Sequence, residues 1–210
     1  LELLIKYGFV KKESTLKETY EKILGVYNIE RDDPKMWEMV WNHEILNLFQ
    51  MEQQSGIQGI ELTHPKSVDD LATLNSIIRL MAQEKGSETP LEKYAKFKNN
   101  ISLWYKEMEE YGLTEKEQKL LIPILETSYG ICESQERFMT LVQLPECGGF
   151  DRKWADRLRK SIAKKDPSGY MKLEEEYFKN MKEKHLSENL CNYVWKVLIA
   201  TSRGYGFNLS

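Results

Sequence analysis

Apolar positions recur along this chain at the helical repeat, and no stretch alternates convincingly with a period of two. From Lys35 to Glu52, the spacing of Met36, Met39, Val40, Ile45, Leu46 and Phe49 predicts one helix. A second is expected over Ser67–Gln83. Ser67 caps it, Asp69 and Asp70 suit its positive end, and Leu71, Leu74, Ile77, Ile78 and Met81 form its inner side. Thr89 followed by Pro90 starts a third, whose face carries Tyr94, Phe97, Ile101, Trp104, Tyr105 and Met108 until Gly112 stops it. Thr114 and Glu117 make a capping box for a fourth, which Pro123 is expected to kink or break.

Gly130 then marks a turn before a helix over Ser134–Leu144, and Pro145–Gly149 is the clearest loop. Three more helices are expected. One runs through Arg152–Lys165, and the next enters at Asp166 with Pro167 and reaches about as far as Lys184. The last starts near Ser187, carries Leu190, Tyr193, Val194, Val197 and Leu198, and ends at Gly204. The expected fold class is all-α, an irregular multi-helix domain without internal repeats. No run of eighteen apolar residues is present to form a membrane span.

Length allows one sizeable core or two small ones in 210 residues. Charge is where the composition changes the picture. The chain is mildly acidic, with a formal net charge of -3. Yet Arg152, Lys153, Arg157, Arg159, Lys160, Lys164 and Lys165 crowd one segment with Asp156 as the single acid. Positive charge concentrated on one segment of an otherwise acidic chain builds a site for a polyanion, and phosphate is the first candidate.

On a helix, Trp154, Ala155, Leu158 and Ile162 fall on one side of this segment, and Lys153, Arg157, Lys160 and Lys164 on another. Arg152 and Arg159 flank the apolar side. A solvated basic face is the bland alternative, but such faces usually mix in acids at i,i+4. An arginine beside the packed face also offers the planar fork that grips phosphate oxygens in pairs.

Other chemistry is thin. Cys132, Cys147 and Cys191 are odd in number, lack metal-ligand spacing and read as reduced thiols of a cytoplasmic protein. His43, His64 and His185 are isolated. Glu174, Glu175 and Glu176 point in successive directions and read as a solvated face. Phosphate-cradling glycine loops and signatures of nucleophilic catalysis are missing. Leu1–Val10 lacks the features of a signal peptide. A chain that begins on Leu1 and ends just past a Gly-Tyr-Gly-Phe-Asn run is expected to be a piece of a larger protein.

Several separated motifs nevertheless occur in one order. They are Tyr129-Gly130, Gln135-Glu136 with Met139, Ala155-Asp156, Leu158-Arg159-Lys160, Lys164-Lys165, and Gly204-Tyr205-Gly206-Phe207-Asn208 with Ser210. Upstream come Asp32-Asp33-Pro34, Leu48-Phe49-Gln50-Met51-Glu52, Ser55-Gly56, Pro65, Asp69-Asp70-Leu71 and Arg79. Together these resemble the fingers region of the bacterial DNA polymerase III alpha subunit, the family C replicative polymerase, over about Asp32–Ser210. Departures exist. Arg79 is followed by Leu80-Met81-Ala82 where the family has Pro-Gly-Pro. Lys160 replaces the second arginine of a pair, and Ala163 the glycine before two lysines. Residues 86–113 match poorly and read as a lineage-specific helical insertion, so a divergent, phage-like version is expected.

The resemblance implies a fingers domain over 31–210, preceded by a helical lead-in from the palm over 1–30. It implies that Arg159, Lys160, Lys164, Lys165 and Arg79 meet the phosphates of an incoming deoxynucleotide. Tyr205, Phe207, Asn208, Arg157 and Lys153 would face DNA or a base. Primer-template DNA, the nucleotide, and the palm and thumb of the parent chain are the implied partners. A sliding clamp would engage regions outside this chain, and no membrane is involved. Mg2+ is expected in the full polymerase, held by palm aspartates that lie outside this chain, so the chain alone should be inactive. The rival readings are a non-enzymatic helical module that binds nucleic acid or protein, and a purely structural domain.

Overall fold

Side-chain oxygens open most of the helices by satisfying N–H groups that the first turn leaves free. The computed structural model describes residues 1–25, 33–80, 88–164 and 166–203. Among them α1 is Glu2–Lys6 and α2 is Leu16–Thr19, which widens into a π-helical turn over Tyr20–Leu24. Helices α3 (Pro34–Trp41), α4 (Gln54–Thr63) and α5 (Val68–Ile77) follow. Next come α6 (Pro90–Asn99), α7 (Ser102–Glu110), α8 (Glu115–Leu125) and α9 (Gln135–Gln143). The chain continues through α10 (Arg152–Ala163), α11 (Pro167–Glu183) and α12 (Glu188–Asn192). It closes with a π-helical stretch, Tyr193–Ile199, and a 3-10 turn, Ala200–Arg203. No β-sheet forms among the described residues, so the fold is all-α. No described helix is long and apolar enough to cross a membrane.

Two predicted starts are realised atom for atom. At α6, Thr89 accepts from the Glu92 N–H while Glu92 accepts from the Thr89 N–H, and Thr114 and Glu117 repeat the arrangement at α8. Ser67, Ser134, Asp166 and Ser187 also cap where expected.

Three expectations need correction. The helix predicted over Lys35–Glu52 ends at Trp41. His43, Asn47 and Gln50 take left-handed backbone, which no right-handed helix tolerates, and of Ile45, Leu46 and Phe49 only Ile45 is buried. The single helix predicted from Thr89 to Gly112 breaks at Asn100, whose backbone is extended and whose side chain accepts from the Ser102 N–H. The alternative of a break at Pro123 is overturned, since α8 runs through it and ends two residues later, tightening into a 3-10 turn over Glu126–Ser128. A proline so near the end removes a single ladder hydrogen bond. Gly204 and Met81 lie outside the described residues.

Two cores result. The larger gathers Tyr94, Phe97, Trp104, Phe138, Leu158, Tyr177 and Trp195, among others, from α6 through the π-helical stretch. The smaller contains Trp37, Val40, Ile45, Met51, Ile60 and Leu74, from α3 to α5. Leu91 packs against both. The 86–113 segment supplies four of the most deeply buried side chains, Tyr94, Phe97, Trp104 and Met108. Its Trp104 lies against Gly130, where φ is +81° and a Cβ would sit 2.5 Å from the indole. Trp104 also donates to the Tyr193 hydroxyl (3.1 Å), which donates to Glu107 (2.8 Å).

Candidate phosphate-facing site

Helix α10 exists because its sequence pairs a strong start with one sharply apolar face. The Asp151 carboxylate accepts from the Trp154 N–H at 2.7 Å. Trp154, Ala155, Leu158 and Ile162 are buried as expected, joined by Ser161. Phe150 stacks on Trp154 with ring centroids 3.7 Å apart. The opposite face is therefore fixed in direction, and its cations project toward α11 and solvent.

Two carboxylates organise those cations. Glu176 on α11 takes both forks of Arg157, Nη2 at 2.8 Å and Nη1 at 3.3 Å, and also accepts from the Trp154 indole at 2.7 Å. The Arg157 guanidinium holds the Glu176 carboxyl below the ordinary range, with the indole helping. Asp156 divides its oxygens: Oδ2 meets Lys160 Nζ at 2.7 Å, and Oδ1 accepts from Arg159 Nε and Nη2 at 2.9 and 2.7 Å. Hydrogen bonds from Lys160 and then Arg159 depress its pKa. Arg159 Nη1 reaches Gln135 Oε1 on α9 at 3.5 Å.

Between α10 and the start of α11 lies an open hollow of about 270 Å3, lined by Arg157, Lys160, Ser161, Lys164, Asp166, Gly169, Lys172 and Leu173. Four cations and one acid line it, Arg157 and Lys160 being ion-paired with Glu176 and Asp156 at its edge. The acid, Asp166, is already engaged as the α11 cap, accepting from the Gly169 N–H and the Ser168 hydroxyl at 3.0 Å each. Such a hollow concentrates positive potential where a phosphate group could sit.

The structure thus brings Arg157, Lys160 and Lys164 together but does not converge all the expected cations. Arg159 turns to the other side of α10, toward α9. Lys153 is exposed one turn before Arg157 and does not line the hollow. Arg79 sits in the turn after α5 and does not line it either. Lys165, Tyr205, Phe207 and Asn208 lie outside the described residues. Sequence reasoning missed Lys172, which comes from the neighbouring helix. It also read Glu176 as part of a solvated face, whereas Glu176 anchors Arg157. A contact nineteen residues apart on separate helices leaves no local spacing signal.

Residues 10–185 match the family model of the bacterial DNA polymerase III alpha subunit finger domain. Over 209 residues the chain is 41% identical to the probable DNA polymerase YorL of Bacillus subtilis (strain 168), covering 100% of this chain and 16% of that protein. The same figures hold for the DNA-directed DNA polymerase of Bacillus phage SPbeta. Identity to the DNA polymerase III subunit alpha of Campylobacter jejuni is 26% over 196 residues, 93% of this chain and 15% of that protein. This difference fits the expected divergent, phage-like member. The chain spans about one sixth of the length of these relatives. The family match starts at residue 10, upstream of the Asp32 where the motif resemblance begins.

Proposed function

The chain belongs to the finger-domain family of the bacterial DNA polymerase III alpha subunit, and from that premise we propose that it is the nucleotide-facing part of a DNA-directed DNA polymerase. In this reading Arg159 and Lys160 hold the incoming triphosphate, Lys164 and Lys165 lie beside them on phosphate, and Arg79 adds a further cation. Arg157 and Lys153, with Tyr205, Phe207 and Asn208, face primer-template DNA. The observation that carries the proposal is the shared hollow, where Arg157, Lys160, Lys164 and Lys172 surround one space. Asp156 supports it by holding Lys160 in a fixed direction at the hollow, whereas Arg159, held by Asp156 and Gln135 toward α9, would meet the triphosphate from the other side of α10.

The division of labour rests on the side chains present here. Among the described residues no three His, Cys, Asp or Glu side chains gather to hold a cation. The described residues do not fit the Mg2+ expected in the full polymerase, which palm aspartates outside this chain would hold. The palm and thumb of the parent chain and primer-template DNA are the proposed partners, a clamp would bind elsewhere, and the setting is the bacterial cytoplasm. The family match takes support away from a stand-alone binding module.

In the full polymerase, Arg159→Ala should raise KM for deoxynucleotide or lower turnover in steady-state primer extension. Unchanged kinetics would remove Arg159 from the site. Free triphosphate should compete for the hollow. A duplex-binding groove would ignore it. Primer extension by the 210-residue chain alone would overturn the division of labour.

A further inference from the structure

Exposed apolar side chains are distributed very unevenly along this chain. Of thirteen large ones that stand open among the described residues, eleven fall within the first 68 positions, and only Tyr111 and Met171 lie beyond. The most conspicuous pair is on the loop between α3 and α4, where Leu46 is 84% exposed and Phe49 65%.

That loop is built rather than slack. His43, Asn47 and Gln50 adopt left-handed backbone at φ of +62°, +71° and +65°, a cost that non-glycine residues bear only when their surroundings over-determine them. The surroundings do so. The Asn47 N–H donates to Glu52 at 2.6 Å, and the Asn75 amide on α5 donates to the Phe49 carbonyl at 3.0 Å. Ile45 and Met51 are buried on either side of the exposed pair. Gly56 lets the Gln50–Met51 backbone lie on α4, since a Cβ there would come 2.5 Å from Met51 Cα. Two apolar side chains are therefore held out to solvent by a fixed support, as a preorganised interface requires.

Charge and length identify the occupant. From Asp33 to Asp70 inclusive the segment carries seven acids and two lysines, with Glu44 and Glu52 flanking the exposed pair in sequence and Asp70 paired with Lys98, so a phosphate backbone is disfavoured beside it. The chain spans 16% of its phage relative, which leaves most of such a polymerase to cover it. We infer that Leu46 and Phe49 form a knob that seats the finger domain in an apolar, basic-rimmed pocket on another domain of its own polymerase. This rests on the polymerase reading but concerns a different face from the phosphate hollow.

The test uses the full-length polymerase without DNA and measures maleimide labelling of Phe49→Cys, Leu46→Cys and Met171→Cys, each relative to its own rate in urea. Labelling is read at the introduced cysteine by peptide mass, which separates it from other thiols, including Cys132, Cys147 and Cys191, all buried here. Folding should slow labelling at Phe49→Cys and Leu46→Cys by about tenfold or more, while Met171→Cys, 59% exposed here, stays within about threefold of its urea rate. Rates at both knob positions within about threefold of urea would overturn the inference. Protection that appears only with primer-template present, or that vanishes on dilution, would equally overturn it, by naming DNA or a second copy as the occupant. Primer extension by the same preparations reports separately on the polymerase reading.

Discussion

The two halves of this molecule present opposite surfaces. Residues around the smaller core, α3 to α5, show acids and open apolar side chains. The larger core, built from α6 onward, shows almost no exposed apolar surface and carries the cations of α10 and α11. Protein surfaces attract what complements them. A cationic hollow selects phosphate, and an acidic apolar face rejects it while suiting another protein surface. In the proposed reading, a chain of net charge -3 serves a polyanion by concentrating cations locally: Arg157, Lys160, Lys164 and Lys172 line the hollow, with Asp166 in its wall and Asp156 and Glu176 beside it.

Four measurements would break or sharpen that contrast. The largest effect is expected in the larger core. Trp104→Ala should cost about 3–5 kcal/mol in urea unfolding, because it empties a fully buried site and removes the donor to the Tyr193 hydroxyl. Next, Lys160→Ala with Lys164→Ala in the full polymerase should weaken triphosphate binding about tenfold or more, the loss expected for charge-assisted bonds to phosphate. An equal loss from Leu46→Ser with Phe49→Ser would erase the distinction between the faces. Third, Asp156 should stay ionised as pH falls through the ordinary carboxylate range, followed by carboxyl NMR shifts. Its folded pKa lies below the unfolded value, so its contribution is present above the unfolded value and is lost as pH drops through the folded one. Because the group is exposed, the effect on stability should be small. Smallest of all, Leu46→Ser with Phe49→Ser in this chain alone should change stability by no more than about 0.5 kcal/mol per site, since both side chains already face water.

What could be read from sequence depended on how far apart the cooperating residues lie. Local signals were legible. The Thr89–Glu92 and Thr114–Glu117 boxes, the Ser67, Ser134 and Ser187 caps and the buried face of α10 were all written in steps of four residues or fewer. The loop after Trp41 was not. Its apolar spacing imitates a helix, and only the distant Asn75 and the bare Gly56 reveal why the chain turns instead. Within the candidate site, Lys160 and Lys164 were visible as a basic row. Lys172 and Glu176 were invisible because the packing of α10 on α11 is a tertiary fact. The family likeness carried the functional reading further than any spacing did, since the order of scattered motifs survives where individual contacts cannot be seen.

One last consequence concerns the π-helical stretch Tyr193–Ile199. Six of its seven side chains are buried, Lys196 being the one that is not. The wider turn spends an extra residue per revolution, so deleting a single residue there would rotate the downstream backbone by about 100° about the axis. Ala200–Arg203 therefore owe their azimuth to a local winding error that the core has locked in, and the chain's onward heading is a matter of rotational phase.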